Sequence, residues 1–503
     1  MSNGEKNTVR YLTKLPWIVL GAVLCAAAVF APPIGGLSQS TQAMLGVAAL
    51  MTTWWVTEAV PIPITSLVPL VLFPTLGLTT MSEAATPYAH HLIFLFLGGF
   101  VLALGIERTG LHKRIALNIV RVLGGEPKRL ILGFMVATAL LSMWISNTAT
   151  AMMMLPIALA VNRNLAERRY GQSDLSLAQR KSMGVPLLLG IAYAASIGGV
   201  GTLIGTPPNV ILGGVYESLT EGAELGFFQW MLFAVPLVVV MIPLVWFLLT
   251  HWILPLDSEG WSYGGGSVRE ELSALGPVSP GERRVLVIFI LTALAWIFRT
   301  PIEFGDFATP GLTEIFPELK DSTIAIMAGI ALFLVPMGGR DSGAVMDWKA
   351  VKHGVPWGVL LLFGGGFALA VGFESTGVTA LVGQAVEGLG AVPVILLILA
   401  VCAMVTFLTE LTSNTATAAI LLPIMASVAA ALGHHSLLLM IPVAVSASFA
   451  FMLPVATPPN AIVFGSELIE IRDMARAGIF LNLTGIILIT IWVVVIGSIV
   501  FGY

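Results

Sequence analysis

The chain is written as long apolar runs separated by short polar ones, and most runs approach the length a bilayer requires. A spanning helix needs roughly 20 predominantly apolar residues. Candidates lie near 17–31, 42–60, 62–78, 92–109, 183–213, 229–252, 285–300, 323–338, 357–373, 437–465 and 477–500. Two further runs, 129–162 and 392–432, are each interrupted near the middle by SNTAT, at Ser146–Thr150 and Ser413–Thr417. The first is too short for two crossings and too long for one. Arms of about 15 residues reach roughly 22 Å, short of a ~30 Å hydrocarbon core. The pattern predicts re-entrant hairpins with tips near the midplane, where irregular backbone is tolerated only when it lines a cavity. The expected fold is an all-α integral membrane protein of about eleven transmembrane helices and two re-entrant hairpins.

Composition agrees. Of 503 residues, 57% are hydrophobic and only 10% charged, against about a quarter charged in ordinary soluble domains. A net charge of −4 and the lack of a basic module leave no place for nucleic acid. Cys25 and Cys402 lie in apolar runs and form no metal or redox pattern. The run from Trp17 follows Lys6, Arg10 and Lys14 and continues into Pro32-Pro33, a poor cleavage context, so it reads as a retained first span.

Charge fixes an expected orientation. With the N-terminus cytoplasmic, 22 of the 24 Lys and Arg fall in cytoplasmic segments: Lys6 to Lys14, Arg108 to Arg129, Arg163 to Lys181, Arg269 to Arg284, Arg340 to Lys352, and Arg472 with Arg476. Only Arg299 and Lys320 lie outside, beside Glu217, Glu221, Glu224, Asp306, Glu314 and Glu318. This obeys the positive-inside rule and predicts a multi-pass cell-membrane protein with an extracytoplasmic C-terminus.

The chain also repeats itself. LFLGGFVLALGIERTG at 95–110 returns as LFGGGFALAVGFESTG at 362–377, at the same 267-residue offset that separates the SNTAT copies. GTPPNVIL at 205–212 returns as ATPPNAIV at 456–463. An odd number of crossings separates the GGF copies, so the halves are inverted. Inverted repeats with interrupted helices at matching places are the signature of a secondary transporter with its site at the repeat interface.

The motifs suit ion and anion binding. Ser, Asn and Thr at a hairpin tip offer hydroxyl and amide groups, and helix N-termini there offer free N–H groups to carboxylates. Freed carbonyls suit a hard cation such as Na⁺. Pro207-Pro208 and Pro458-Pro459 break their helices, leaving Gly205 and Ala456 before the gaps and Thr206 and Thr457 facing them. Asn209 and Asn460 are placed to restore a backbone bond beyond each break. The alternative is that small polar residues only pack helices and that the prolines only kink them. Gly98, Gly99, Gly365 and Gly366 read as close-contact glycines, and Glu107 and Glu374 as helix-end groups that cap or pair. Glu410, inside the second hairpin, is either a structural partner or a proton or cation site. No Lys or Arg lies at membrane depth, so an anion there depends on co-bound cations and helix dipoles. No His/Asp/Glu cluster lies there either, which argues against an enzyme; His90-His91 and His434-His435 fall near the outer surface.

The duplicated SNT, the TPPN breaks, TWWVTEAVPIP at 53–63 and LFLGGFVLA at 95–103 resemble the divalent anion/sodium symporter (DASS) family, with a nearer likeness to bacterial sodium/dicarboxylate symporters. The resemblance implies a homodimer whose transport domain moves like an elevator against a scaffold. It implies one Na⁺ site at Ser142, Ser146, Asn147 and Gly205, and a second at Thr409, Thr412, Asn414 and Ala456. It places substrate carboxylates against Asn147, Thr148, Thr206 and Pro207 from one half, and Ser413, Asn414, Thr415, Thr457 and Pro458 from the other. Glu467 departs from an expected glycine. The corresponding domains are a 1–16 tail, scaffold helices over 17–128, a first transport half over 129–252, and a cytoplasmic loop over 253–284. A second scaffold segment over 285–391 and a second transport half over 392–503 complete them. The expected function is Na⁺-coupled symport of C4-dicarboxylates (succinate, malate, fumarate), with Na⁺ as coupling ion and no other cofactor. Citrate or sulfate symport, dicarboxylate exchange and, more remotely, an anion channel are the alternatives.

Overall fold

In the computed structural model, residues 3–170, 176–220, 223–256, 266–304, 307–338 and 341–503 are described. Glu221, Asp306 and Arg340, named in the charge argument, lie outside them. Two apolar helices, α1 (Asn3–Phe30) and α2 (Gln39–Thr57), open the chain, with Ser38 capping α2 by accepting from the Thr41 amide at 3.0 Å. The span expected at 62–78 is two short helices, α3 (Ile62–Thr65) and α4 (Val68–Thr75), since Pro69 removes a helical donor at the junction. After α5 (Met81–Ala85), α6 (His91–Thr109) carries the first GGF motif and ends on Gly110 in the left-handed region. A short amphipathic helix follows, α7 (Leu111–Leu123), with its apolar residues on one side.

The first hairpin is α8 (Pro127–Ser142) and α9 (Asn147–Tyr170). The first broken span is α10 (Leu177–Gly199) and α11 (Pro207–Leu219), followed by α12 (Phe227–Phe247). A polar segment holds α13 (Gly266–Ala274). Ser279, Pro280 and Glu282 then start α14 (Pro280–Ile297) with a capping box. The span expected at 323–338 is shorter: α15 (Asp321–Leu334) stops, and Pro336–Gly338 pairs antiparallel with Asp341–Ala344. Proline cannot continue the helix donor pattern there. A second short ribbon pairs Glu303–Phe304 with Phe307–Ala308.

The second half repeats the order: α16 (Trp348–Gly354), α17 (Trp357–Ser375), α18 (Val378–Val386), α19 (Val394–Thr409), α20 (Asn414–Ala431), α21 (Leu437–Ser446), α22 (Pro458–Phe464), α23 (Ile471–Trp492) and α24 (Ser498–Phe501). The starts of α7, α8 and α9 match those of α18, α19 and α20 at the same 267-residue offset as the sequence repeat. Both α12 and α23 continue into a π-helical turn, at Leu248–Ile253 and Val493–Gly497. Seven helical stretches among the described residues are long and apolar enough to cross a membrane alone; the other expected spans are shorter or less apolar.

The glycines serve close packing. A Cβ on Gly98 would lie 2.5 Å from the Ala325 carbonyl carbon, and one on Gly365 2.7 Å from the Ser66 carbonyl oxygen. The most completely buried stretches among the described residues are Met183–Gly199 of α10 and the whole of α21.

Ion pairs sort the polar ends into two groups. Arg108 meets Asp347, Arg114 meets Glu282 at 2.7 Å, and Lys181 meets Glu470. In the other group Lys320 meets Glu224 at 2.7 Å and Arg299 meets Asp321 at 2.9 Å, with the His91 ring hydrogen-bonded to Glu217 at 2.7 Å beside them. Every ion pair among the described residues joins segments that the charge pattern assigns to one side. The Ala350 amide and the Arg108 guanidinium hold the Asp347 carboxyl below its usual range, and the Glu224 carboxylate raises Lys320 above its own.

Candidate functional site

Both hairpin tips and both helix breaks meet at one cavity of about 980 Å³. Its lining includes Ser146, Asn147 and Thr148 from the first tip and Thr412, Ser413, Asn414 and Thr415 from the second. The breaks add Gly205, Thr206 and Pro207, with Ala456, Thr457 and Pro458 opposite. Among the described residues, no Lys, Arg or His belongs to this lining, whereas Glu58 and Glu107 do. Glu107 therefore lines the cavity instead of pairing as the sequence suggested, and Glu374 is exposed at the end of α17. The mouth lies on the side of the Arg108–Asp347 pair: Glu107 precedes Arg108, and the Lys14 amine donates to the Glu58 carbonyl.

Each tip is the N-terminus of a long helix. Ser146 Oγ accepts from the Ala149 amide at 3.3 Å, and Ser413 Oγ from the Ala416 amide at 3.5 Å. The remaining first-turn donors have no intrahelical partner. They add partial positive charge to a site without cationic side chains.

Ser142 and Thr409, the two predicted residues outside the lining with a proposed ion role, lie directly behind the asparagines. Ser142 Oγ is 2.6 Å from both Asn147 Oδ1 and the Ala195 carbonyl oxygen. Thr409 Oγ1 is 2.6 Å from Asn414 Oδ1 and 3.1 Å from the Ala447 carbonyl oxygen. A hydroxyl has one proton to donate, so each group places more oxygen lone pairs together than it has hydrogens to bridge. Hard cations are ligated by oxygen clusters of this kind. Thr412 differs: its hydroxyl lies 2.9 Å from the Leu408 carbonyl and 2.7 Å from Thr417 Oγ1, leaving its carbonyl for other partners.

The linkers are held by the TPPN asparagines, though not as the sequence suggested. Asn209 Nδ2 donates to the Thr202 and Val200 carbonyls at 2.8 and 3.1 Å; Asn460 Nδ2 donates to those of Leu453 and Ala450 at 3.0 and 3.1 Å. They tie down the carbonyls before each break, not a bond beyond it. Glu410 has a structural place: its carboxylate accepts from the Met452 and Leu453 amides at 2.9 and 3.0 Å and from Asn482 Nδ2 at 2.7 Å.

Sequence reasoning missed Ala195, Ser196, Ala447 and Ser448. Ser196 lines the cavity, and Ser448 Oγ lies 3.4 Å from Thr206 Oγ1, joining the halves. The signal was an Ala-Ser pair a short distance before each TPPN motif, at 195–196 and 447–448.

The comparisons with known proteins cover the whole of this arrangement. The family model described as the sodium:sulfate symporter transmembrane region matches residues 13–502. The chain belongs to this family. Sodium-dependent dicarboxylate transporter SdcS of Staphylococcus saprophyticus is 40% identical over 491 residues, covering 97% of this chain and 92% of that one. Its counterpart in Staphylococcus aureus is 41% identical over 460 residues, covering 91% and 86%. The family resemblance read from the SNT and TPPN motifs is thereby borne out. Among solved structures, the Alcanivorax borkumensis YdaH transporter superposes with a TM-score of 0.55 over 97% of this chain and 98% of that one. At 16% identity, that likeness concerns the fold alone.

Proposed function

We propose that this family member is a secondary transporter in the cell membrane that carries C4-dicarboxylates such as succinate, malate and fumarate into the cell, coupled to Na⁺. The observation that carries the reading is one cavity lined by two inverted tip-and-break motifs and by no cationic side chain. Two anion half-sites suit a substrate with two carboxylates, and the SdcS relatives carry the name of sodium-dependent dicarboxylate transporters.

In this mechanism Na⁺ binds the oxygen groups at Ser142, Ser146, Asn147 and Gly205, and at Thr409, Thr412, Asn414 and Ala456. The bound cations make the tips attractive to a dianion, which the neutral dipoles alone hold poorly. Carboxylates then take donors from Asn147, Thr148 and Thr206 with Pro207 in one half, and Ser413, Asn414, Thr415 and Thr457 with Pro458 in the other. Residues 129–252 and 392–503 form the transport domain, and 17–128 with 285–391 the scaffold, paired in a homodimer. Cargo crosses as the transport domain slides. With the N-terminus cytoplasmic and the C-terminus extracytoplasmic, the cavity mouth beside Glu58 and Glu107 faces the cytoplasm, so this is the inward-open state.

The test is labelled-succinate uptake into proteoliposomes under an inward Na⁺ gradient, compared with K⁺ and proton gradients. Saturable uptake that requires Na⁺ is expected. Competition by sulfate or citrate with none by succinate would reassign the substrate. Uptake driven only by internal dicarboxylate would make the protein an exchanger, and uptake that never saturates would make it a channel.

A further inference from the structure

Away from the cavity, on the opposite polar face, three ligand-type side chains converge from two helices. His90 caps the start of α6, His91 is its first residue, and Glu217 lies near the end of α11. Their ligand atoms all lie within 4.8 Å of one another. His91 Nε2 is 2.9 and 2.7 Å from the two Glu217 oxygens, and His90 Nε2 is 3.6 Å from the nearer one. The side chains are partly exposed, so water and ions reach them.

We infer that His90, His91 and Glu217 form a Zn²⁺ site that ties α6 to α11. Two imidazoles and a carboxylate are a common zinc donor set that leaves a fourth position for water. Tetrahedral bonds near 2.1 Å place ligand atoms roughly 3.4 Å apart, so small side-chain rotations bring this group onto the metal. The rings are already arranged side by side: their centroids are 4.7 Å apart, and Phe367 lies 5.0 Å from that of His90. His91 Nδ1 is buried without a hydrogen-bond partner among the described residues, so Glu217 is the hydrogen-bond partner that orients that ring. Binding replaces the His91 Nε2–Glu217 hydrogen bond at 2.7 Å and the long contact of the Leu92 amide to His90 Nδ1 at 3.4 Å with metal bonds at both Nε2 atoms and at the carboxylate. Lys320 Nζ stands 3.7 Å from Glu217 and opposes the metal, but is itself held by Glu224 at 2.7 Å.

The position gives the site a consequence, which rests on the proposed division into scaffold and transport domains. Since α6 falls in the first and α11 in the second, the metal cross-links them and holds the state in which the cavity opens at the far face.

The site is tested without substrate, by calorimetric titration of the purified full-length protein with ZnCl₂ at neutral pH. One Zn²⁺ per chain at micromolar affinity or tighter is expected, weakened by roughly tenfold or more in His91→Ala and in Glu217→Gln. Lys320→Ala should bind several-fold more tightly, a gain that a misfolded variant does not produce. No one-per-chain event, or unchanged binding in Glu217→Gln, overturns the site. In proteoliposomes, external Zn²⁺ should slow Na⁺-driven uptake, with full recovery on chelation. Zn²⁺ that binds but leaves uptake unchanged overturns the cross-link and places the error in the domain division, not in the ligand set.

Discussion

The two repeats reach the same geometry by different means. In the first, the linker between α10 and α11 is set by close packing. A Cβ on Gly199 would lie 2.4 Å from Asn147 Oδ1, and one on Gly205 2.3 Å from the Gly199 carbonyl oxygen. Thr202 Oγ1 donates to the Met143 carbonyl at 2.5 Å, and Trp230 Nε1 to that of Val200 at 2.9 Å. In the second, the position equivalent to Met143 is Glu410, and that of Gly205 is Ala456. There α21 stops at Ser446, a turn earlier by the repeat offset than α10 at Gly199, and Glu410 takes two of the amides in the linker. One repeat thus relies on the absence of side chains and the other on a buried carboxylate.

The tips differ too. Trp144 in the first turn lies against Phe289 at 4.8 Å and Trp296 at 6.2 Å, both on α14. Its equivalent, Leu411, is 75% exposed. A pair of inverted repeats caught in one state should be unequal in this way, with one tip packed and the other free.

Glu410→Ala should give the largest effect. It strands two buried amides and the Asn482 side chain, costing on the order of 3 kcal/mol or more. Met143→Ala in the matching place removes only packing, about 2 kcal/mol. Thermal unfolding in detergent reads both, and equal losses would break the contrast. Trp144→Ala should cost about 2–3 kcal/mol, while Leu411→Ala should stay within about 0.5 kcal/mol; the same melting series decides. Gly205→Ala should lower Na⁺-driven uptake by roughly tenfold, about 1.4 kcal/mol, whereas Ala456→Gly should be mild. A tolerated Gly205→Ala would show that the close approach is dispensable. The smallest effect expected is a gain. Glu467 adopts φ +62°, a conformation that disfavours side chains by roughly 1–2 kcal/mol. Glu467→Gly should therefore raise stability by about 1 kcal/mol and leave uptake unchanged; a fall in melting temperature would contradict this.

The left-handed backbone at Glu467 accounts for the glycine that the family resemblance led us to expect there. Much of the candidate site was legible for the same kind of reason, since the breaks are written in residues with strong backbone consequences. Proline at 207 and 458 and SNT at 146 and 413 mark the ends of helices to the residue or nearly so. All nine residues that the family resemblance places against substrate line the cavity. What was not legible depends on contacts distant in sequence or on uniform apolar stretches. Ala195 and Ala447 contribute backbone carbonyls, and the Ala-Ser pairs that hold them do not say which oxygen turns toward the hydroxyl behind each asparagine. The partners of Glu410 lie 42 to 72 residues away. The span at 323–338 failed because apolar content alone does not distinguish helix from the ribbon that begins at Pro336. α7 was passed over because its basic residues drew it into a loop, although its apolar positions recur at helical spacing.

The central claim is that the two tips serve one site. It is tested most directly by Na⁺-driven succinate uptake in Asn147→Ala and Asn414→Ala, measured side by side in proteoliposomes at matched protein and across a range of Na⁺ concentrations. The account predicts that each variant alone loses most of the uptake and requires more Na⁺ for what remains. Full activity with unchanged Na⁺ dependence in either one would contradict it.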